Sequence, residues 1–218
     1  MKRQEGTRQR TEVRRAQIAD AARLVIIKHG SEHITIRGIA REIGITEGAI
    51  YRHFKSKRDI LSHLVEDIEM NLVGDIDKGI ASGGTPLQMI DSTLKSHITR
   101  IQQRRGVSFL IIAEIISLGD QKLDRQVTEA LNKYMGRIAD LVSEGIKSGE
   151  IRRDVSPETT AVLLFSTLHG LVNMWALSHH SFNLEERYLP LWELLRETIA
   201  SKEQVRGPEA APLLRRAG

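Results

Sequence analysis

A short stretch, GITEGAIYRHFKSKRDIL, places Tyr51, Arg52 and His53 side by side. A phenol, a guanidinium and an imidazole can all donate hydrogen bonds, and a guanidinium can pair with a phosphate or with the edge of a guanine. The small residues Gly48 and Ala49 come just before them, so the start of this helical segment can approach another surface closely. Free backbone N–H groups at a helix start favour phosphate. The combination is typical of a surface that contacts a nucleic acid.

The same side chains also have ordinary structural interpretations. Tyr51 is consistent with a partly buried core aromatic, and Arg52 and His53 are consistent with plain surface. Lys55 and Lys57 nearby are typical of charges that keep a protein in solution. The residue types alone leave these alternatives open.

The basic residues are concentrated near the amino terminus. Residues 1–60 hold 14 Lys and Arg against 7 Asp and Glu, a net charge of +7, which leaves −3 for the rest of a chain whose total is +4. Such asymmetry indicates that the basic segment meets a polyanion, although a solvated charged face gives the same count. Six basic residues are expected to form an arm that adds non-specific affinity. They are Lys2, Arg3, Arg8, Arg10, Arg14 and Arg15.

Catalytic and metal-binding patterns are missing from the sequence. It contains no H-E-x-x-H, no Glu-x-x-His pair, no P-loop, no G-x-G-x-x-G and no G-x-S-x-G. His179 and His180 are adjacent, so on a helix they would point about 100° apart. His97 and His169 fall in otherwise apolar helical segments, where packing and ligand recognition are both consistent. We therefore expect no enzyme activity, no cofactor and no metal.

Composition fits a cytoplasmic protein without a membrane segment. The chain has 218 residues, of which 40% are hydrophobic and 28% charged, and no cysteine, which excludes disulfides and thiolate chemistry. The amino terminus has no apolar secretion signal. Uninterrupted apolar runs are about five residues long, against the roughly 20 needed to span a bilayer.

Helices are the elements expected to position the polar side chains. Apolar residues over 13–27 recur at helical spacing, and Gly30 ends that helix. Two short helices follow, capped by Thr35 and Thr46 and separated by Gly44, which makes a helix-turn-helix. Their inward residues form a small core with the first helix and leave the opposite face of the third helix outward. These inward residues are Ile36, Ile39, Ala40, Ile43, Ile45, Ile50 and Phe54.

The remainder of the chain also reads as helices, so the predicted fold is all-α with about nine helices. Pro190 is expected to kink or restart the last of them. The predicted domains are a DNA-binding unit over residues 1–55, a ligand-binding and dimerisation domain over 56–202, and a mobile tail over 203–218. The later helices are placed near 56–80, 85–104, 107–118, 120–148, 156–178 and 184–201.

The motif TIRGIAREIGITEGAIYRHFKSKRDIL resembles the TetR family of transcriptional regulators. It has Ile-Ala in the middle of a helix, a glycine turn, a cap, then Gly, small, apolar, Tyr, two polar residues and Phe-Lys-Ser-Lys. The resemblance is strongest over residues 13–65. The stretch EGIKSGEIRRDVSPETTAVLLFSTLHGLVNMW is similar to carboxy-terminal regions of several members.

The resemblance implies that the third helix enters the major groove of a palindromic operator in double-stranded DNA. Thr35 and Lys55 would contact the DNA backbone, and Arg37 is consistent with phosphate contact or with solvation. Glu47 either accepts from a cytosine or complements the helix dipole. The residues predicted to contact DNA are Thr35, Arg37, Thr46, Glu47, Gly48, Ala49, Tyr51, Arg52, His53 and Lys55.

The segment AVLLFSTLHGLVNMWAL, residues 161–177, is apolar nearly all round and must be covered on more than one face. One face can meet the domain core, and a two-fold dimer would cover the other, with a symmetric operator to match. A fully intramolecular bundle is the alternative. The predicted interface residues are Leu163, Leu171, Met174, Leu191, Trp192, Leu195 and Ile199.

A flexible, weakly polar set of residues in the middle helices suits a cavity for a small hydrophobic or amphipathic ligand. A packed core is the competing account, and the TetR resemblance favours a cavity. Three polar groups, His97, His169 and Asn173, are available to orient a guest. The predicted ligand residues are Met89, Leu94, His97, Phe109, Ile112, Ile116, Met135, His169, Asn173 and Trp175.

Together these features predict a homodimeric, ligand-responsive transcriptional regulator, a repressor that its ligand releases from DNA. The alternative is a helical interaction protein, or co-regulator, that keeps the motif and does not bind DNA. The basic amino-terminal segment argues against that alternative.

Overall fold

A computed structural model describes residues 2–30 and 33–201, with side chains from residue 11 onward. The tail predicted over 203–218 lies outside the described residues. Within them the chain forms nine helices, and the only β-type pairing there is an isolated antiparallel bridge between Ile151 and Ala200. The all-α prediction is confirmed. The helices are α1 (Lys2–His29), α2 (Ile36–Glu42), α3 (Glu47–Tyr51), α4 (Lys57–Ala81), α5 (Pro86–Gln103), α6 (Val107–Leu118), α7 (Gln121–Lys147), α8 (Pro157–Leu177) and α9 (Leu184–Ile199).

Hydroxyl side chains fix the starts of the three helices that follow α1. Thr35 accepts a hydrogen bond from the backbone N–H of Gly38 at 2.9 Å, as an N-cap does. Thr46 and Ser56 cap α3 and α4 in the same way. Gly44 has a φ of 65° at the turn between α2 and α3, a conformation that favours glycine. The helix-turn-helix predicted from the sequence is therefore present.

Helices α1, α2, α3 and α6 share one hydrophobic cluster with the first turns of α4 and α7, which we call the N-terminal core. The prediction placed a domain boundary at residue 55, but this core continues beyond it. Residue 55 marks the end of the motif and not a break in packing. The buried members beyond residue 55 are Ile60, Leu61, Leu64, Val65, Val107, Ile111, Ile115, Leu123, Val127 and Ala130.

A second cluster, the C-terminal core, joins the rest of α4 and α7 with α5, α8 and α9. Helices α4 and α5 approach closely at Gly79. A Cβ there would lie 2.0 Å from Thr93 Oγ1 and 2.7 Å from the Met89 carbonyl, so only glycine fits. Helix α9 runs from Leu184 to Ile199 through Pro190 without restarting.

Helix α8 is the one helix of the described part that is long and apolar enough to cross a membrane, by length and composition alone. Ala161, Leu164, Leu168, Val172 and Trp175 on one side of it are buried in the C-terminal core. A helix that packs in a protein core can pass the same test of length and composition.

Candidate DNA-binding surface and effector cavity

The third helix is held down by two fully buried side chains. Ile50 and Phe54 both have 0% exposed surface in the N-terminal core. Because they point inward, the opposite side of α3 faces outward, and Tyr51 is 53% exposed there. The alternative of Tyr51 as a core aromatic does not hold.

The residues predicted to contact DNA fall at the starts of α2 and α3, in α3 and in the turn between α3 and α4. Eight of them are exposed, and Ala49 and His53 are half-buried. The Thr46 side chain accepts a hydrogen bond from the Ala49 backbone N–H at 3.2 Å and so fixes the first turn of α3. The exposed eight are Thr35, Arg37, Thr46, Glu47, Gly48, Tyr51, Arg52 and Lys55.

Arg15 ties the end of α3 to α1. Its Nη1 donates to the His53 carbonyl at 2.7 Å, and its guanidinium lies 4.1 Å from the centre of the Phe54 ring. The sequence prediction placed Arg15 in a basic arm, whereas its side chain packs against the residues that follow α3. The side chains of Lys2 to Arg10 lie outside the described part. The signal for Arg15 is cation–π pairing with a buried aromatic, which linear periodicity does not report.

His53 carries no extra positive charge to this surface at neutral pH. Partial burial lowers its pKa below the usual 6.5, and the positive charges of Arg14, Arg52 and Arg15 lower it further. Its Nδ1 is buried without a hydrogen-bond partner among the described residues. His53 is therefore a neutral imidazole beside three arginines.

The first turn of α4 is tied to α6 and α7 by charged pairs. Lys57 Nζ lies 2.6 Å from Glu114 Oε1 on α6, and Arg58 pairs with Asp120, the N-cap of α7. Lys57 is thus an anchoring residue and not merely a solvated charge. Helix α4, which follows α3 in the chain, is thereby connected to α6.

A small cavity lies between α4, α5, α6, α7 and α8. The space inside it that is open to a water-sized sphere is about 20 Å³. Four predicted ligand residues, His97, Phe109, Ile112 and His169, line this cavity. The sequence left both a packed core and a cavity open, and the structure has a small cavity with a mostly apolar lining.

The other predicted ligand residues do not line this cavity. Ile116 is 68% exposed and Asn173 is also on the surface, because their helical phase turns them away from the core. Leu94 and Trp175 are buried in the C-terminal core, with Met89 and Met135 packed against it. Sequence reasoning missed several lining residues, because the spacing of apolar residues shows that a helix has an apolar face but not which helix that face contacts. Those missed include Ile68, Leu72, Ile101, Leu131 and Phe165.

Both cavity histidines are neutral. Burial lowers the pKa of His169 to about 4 and that of His97 well below 6.5. The His169 Nδ1–H donates to the Phe165 carbonyl at 3.1 Å, and a 3.2 Å hydrogen bond joins His97 Nδ1 to the Tyr134 hydroxyl. They are polar groups in an apolar cavity, able to orient a guest without adding charge.

A buried ion pair lies next to the cavity. Asp75 on α4 is 1% exposed and pairs with Arg100 on α5, which also donates to the Asn71 carbonyl at 2.5 Å. Burial raises the Asp75 pKa to about 6, and Arg100 opposes that rise. No group of three or more His, Asp and Glu in the described part is placed to hold a metal ion.

Helices α8 and α9 leave an apolar face uncovered within one protomer. Leu163 and Met174 from the predicted interface are exposed on it. Leu171, Trp192 and Ile199 are instead buried in the C-terminal core, and Leu191 and Leu195 pack against that core. The prediction of interface positions is wrong for the three buried residues, since Leu171 on α8 and Trp192 and Ile199 on α9 face the C-terminal core. Exposed apolar residues that it missed are Val162, Leu177, Leu189 and Leu194.

Family models match both parts of the chain. The model for bacterial regulatory proteins of the tetR family matches residues 18–64, and that for the carboxy-terminal region of YsiA-like protein matches residues 64–198. The second match alone covers more than half of the chain. The two matches meet at residue 64, within α4.

Individual proteins match over most of their length. The fatty acid metabolism regulator protein of Bacillus subtilis is 25% identical over 186 residues, covering 85% of this chain and 95% of that protein. The HTH-type transcriptional regulator AcrR of Shigella flexneri is 25% identical over 210 residues, covering 93% and 96%. The crystal structure of FadR from Bacillus subtilis in complex with stearoyl-CoA superposes with a TM-score of 0.71 at 24% identity, covering 83% and 96%.

Proposed function

The chain belongs to the TetR family of bacterial regulatory proteins, and we propose that it acts in the cytoplasm as a homodimeric repressor that a long-chain amphipathic effector releases from a palindromic operator. As a member of this family it is a ligand-responsive, DNA-binding transcriptional regulator. The proposal concerns the residues that do this work and the class of effector.

The observation that carries the DNA-binding part is the outward face of α3. Tyr51, Arg52 and Lys55 project from a capped, well-anchored helix whose inner face is fully buried. We assign Lys55 and Tyr51 to the phosphate backbone and Arg52 to a guanine edge, because a guanidinium is the side chain that reads guanine bidentately. Glu47 complements the dipole at the start of α3 in this assignment.

The uncovered face of α8 and α9 supports a two-fold dimer. Four large apolar side chains are exposed there: Leu163, Met174, Leu177 and Leu194. Exposed apolar patches of this kind mark interaction sites, and a second copy of the chain would bury this one. Two reading helices held by one rigid interface would then meet half-sites about 34–36 Å apart.

The cavity supports an effector with a long apolar part. In the similar FadR structure the bound molecule is stearoyl-CoA, which makes acyl thioesters the first class to test. The free space of about 20 Å³ is too small for such a chain. An effector must therefore push apart Phe109, Phe165 and His169, because the His169 ring contacts both phenylalanine rings in tilted arrangements.

Helix α6 offers a route from the cavity to the DNA. Ile111 is buried in the N-terminal core and Phe109 lines the cavity, while Val107 and Ile112 do both. A guest that displaces Phe109 must move α6, and the Lys57–Glu114 pair would carry that movement to the start of α4. The separation of the two reading helices then changes.

Fluorescence anisotropy with DNA from the region upstream of the protein's own gene tests the proposal. Wild-type protein should bind a palindromic fragment, and dodecanoyl coenzyme A or a longer acyl thioester should release it. Failure to bind any upstream fragment, with the dimer intact, would favour the helical co-regulator instead. Binding without release by any acyl compound would remove only the effector assignment.

A further inference from the structure

The effector cavity lies beside a polar surface groove between α4 and α5. Asn71, Arg100 and Arg104 line both the cavity and the groove. The groove has a volume of about 480 Å³, far more than the cavity, and its walls include Asp75, Lys78 and Thr99. An apolar cavity and a polar groove thus share three lining residues.

Positive charge predominates at the junction. Arg100 is paired with Asp75, so these two charges offset one another. Arg104 follows the last turn of α5 and is exposed, and its guanidinium has no hydrogen-bond or ion-pair partner in the part of the chain that the structure describes. Lys78 is exposed in the same groove. Two cations therefore remain to attract an anion, and Arg104 is the one that also lines the cavity.

We infer that Arg104 and Lys78 form an anion subsite that holds the ionised head group of an effector while its apolar tail fills the cavity. This inference rests on the proposed effector cavity. A guanidinium matches a carboxylate or a phosphate with paired, charge-assisted hydrogen bonds, and Lys78 adds a point charge. The apolar cavity alone cannot select an acid over the alcohol of equal chain length. The subsite supplies that selectivity.

The anion has two chemical sources, the carboxylate of a free fatty acid and the phosphates of an acyl thioester of coenzyme A. Calorimetric titration of the full-length dimer with dodecanoate, dodecanoyl coenzyme A, dodecan-1-ol and coenzyme A separates them. Tight binding of dodecanoate identifies the carboxylate. Tight binding of the thioester alone among the tailed anions identifies the phosphates.

The variants are Arg104→Ala, Arg104→Lys and the control Arg153→Ala. Arg153 is an exposed arginine after α7 that lines neither the cavity nor the groove, so its loss changes net charge equally. Arg104→Ala should weaken the preferred anion roughly tenfold and leave dodecan-1-ol unchanged. Arg104→Lys should recover part of the loss, and Arg153→Ala should match wild type.

Three results would overturn the subsite. If dodecan-1-ol binds as tightly as both anions and Arg104→Ala changes none of them, the subsite is wrong while the effector cavity stands. Equal weakening of the alcohol and the anions by Arg104→Ala would mean that Arg104 shapes the cavity and does not bind an anion. If no tailed molecule binds wild type, both the cavity assignment and the subsite fail.

Discussion

The N-terminal core and the C-terminal core are built from different kinds of residue. The N-terminal core is almost wholly aliphatic, with Ile18, Ile34, Ile39 and Ile50 fully buried, and Glu114 is the buried charge beside it. The other buried polar or charged side chains of the described part lie among the C-terminal helices. They are Asp75, Thr93, His97, Glu150 and Thr160.

The difference teaches which part can change shape. A close-packed aliphatic core has low compressibility, which suits a unit that must present Tyr51 and Arg52 at fixed positions. Buried polar groups such as Asp75 and His97 have directional partners, and a guest can exchange those partners and stabilise a second arrangement. The cavity lies among the helices that hold these polar groups. Helix α6 lines the cavity and also packs in the N-terminal core.

The largest expected effect comes from a substitution outside both cores, on the exposed apolar face of α8 and α9. Met174→Glu places an unpaired carboxylate in the proposed interface, which costs several kcal/mol, about 3–5, in dimer stability. The protein should sediment as a monomer and lose at least hundredfold in operator affinity, although its N-terminal core is untouched.

Met70→Glu is the matched control for this change. Met70 and Met174 are both 64% exposed, and Met70 lies on α4, away from the α8–α9 face. It should leave the sedimentation coefficient of the dimer unchanged. A wild-type monomer, or equal dissociation in both variants, would contradict the interface. Leu171→Glu is not a useful test because Leu171 is buried within one protomer.

A second set of substitutions tests which residues of the N-terminal unit contact DNA. Arg52→Ala should cost about 1–3 kcal/mol on the preferred operator and less on a variant operator, because a guanine contact is lost. Lys55→Ala should weaken all sequences alike and lower the slope of log affinity against log salt by about one. Lys122→Ala, an exposed lysine on α7, serves as the control. Unchanged affinity and slope in both test variants would rule out these contacts.

The sequence predicted the N-terminal unit better than the effector region, for a physical reason. Capping at Thr35 and Thr46, the turn at Gly44 and the inward face at Ile50 are local, so residues close in sequence determine them. The cavity and the interface depend on which of several apolar faces on α6, α8 and α9 meets which partner. Ile116 and Phe109 look alike in sequence, yet only Phe109 lines the cavity.

A third prediction concerns acid stability and tests whether the polar C-terminal core is the sensitive one. The His169 pKa is about 4 in the folded protein against 6.5 when unfolded. The stability it contributes is therefore fully present above pH 6.5 and is lost as pH falls through about 4, because the unfolded chain takes the proton first. From pH 7 to pH 5 this accounts for about 1–2 kcal/mol of the free energy of unfolding.

His169→Gln removes that titration and should flatten the loss by this amount in urea unfolding at the two pH values. The opposite contribution of Asp75, whose raised pKa of about 6 adds stability as pH falls, is common to both proteins and cancels in the difference. His179→Gln, at an exposed position, is the control. A pH dependence identical to that of wild type would show that His169 is not buried as a neutral group.

The smallest effect tests the link between the two cores. Glu114 on α6 pairs with Lys57 at 2.6 Å, and Glu69 on α4 pairs with Lys133 on α7 at the same distance. Both pairs join α4 to a helix that lines the cavity and packs in the N-terminal core, but only the first lies at the start of α4, directly after the helix-turn-helix. Glu114→Gln and Glu69→Gln each remove one charge and keep the side-chain shape.

Coupling between effector and operator is measured as the ratio of effector affinities with and without operator, and reciprocity requires the same ratio for operator affinity with and without effector. We expect Glu114→Gln to reduce this ratio about fivefold, or about 1 kcal/mol, while each ligand alone binds nearly as before. Glu69→Gln should keep the wild-type ratio. If both variants lower it equally, α4 responds through its whole length. If neither does, the movement passes from α6 to the DNA-binding unit by aliphatic packing at Val107 and Ile111, because those contacts remain when the ion pair is gone.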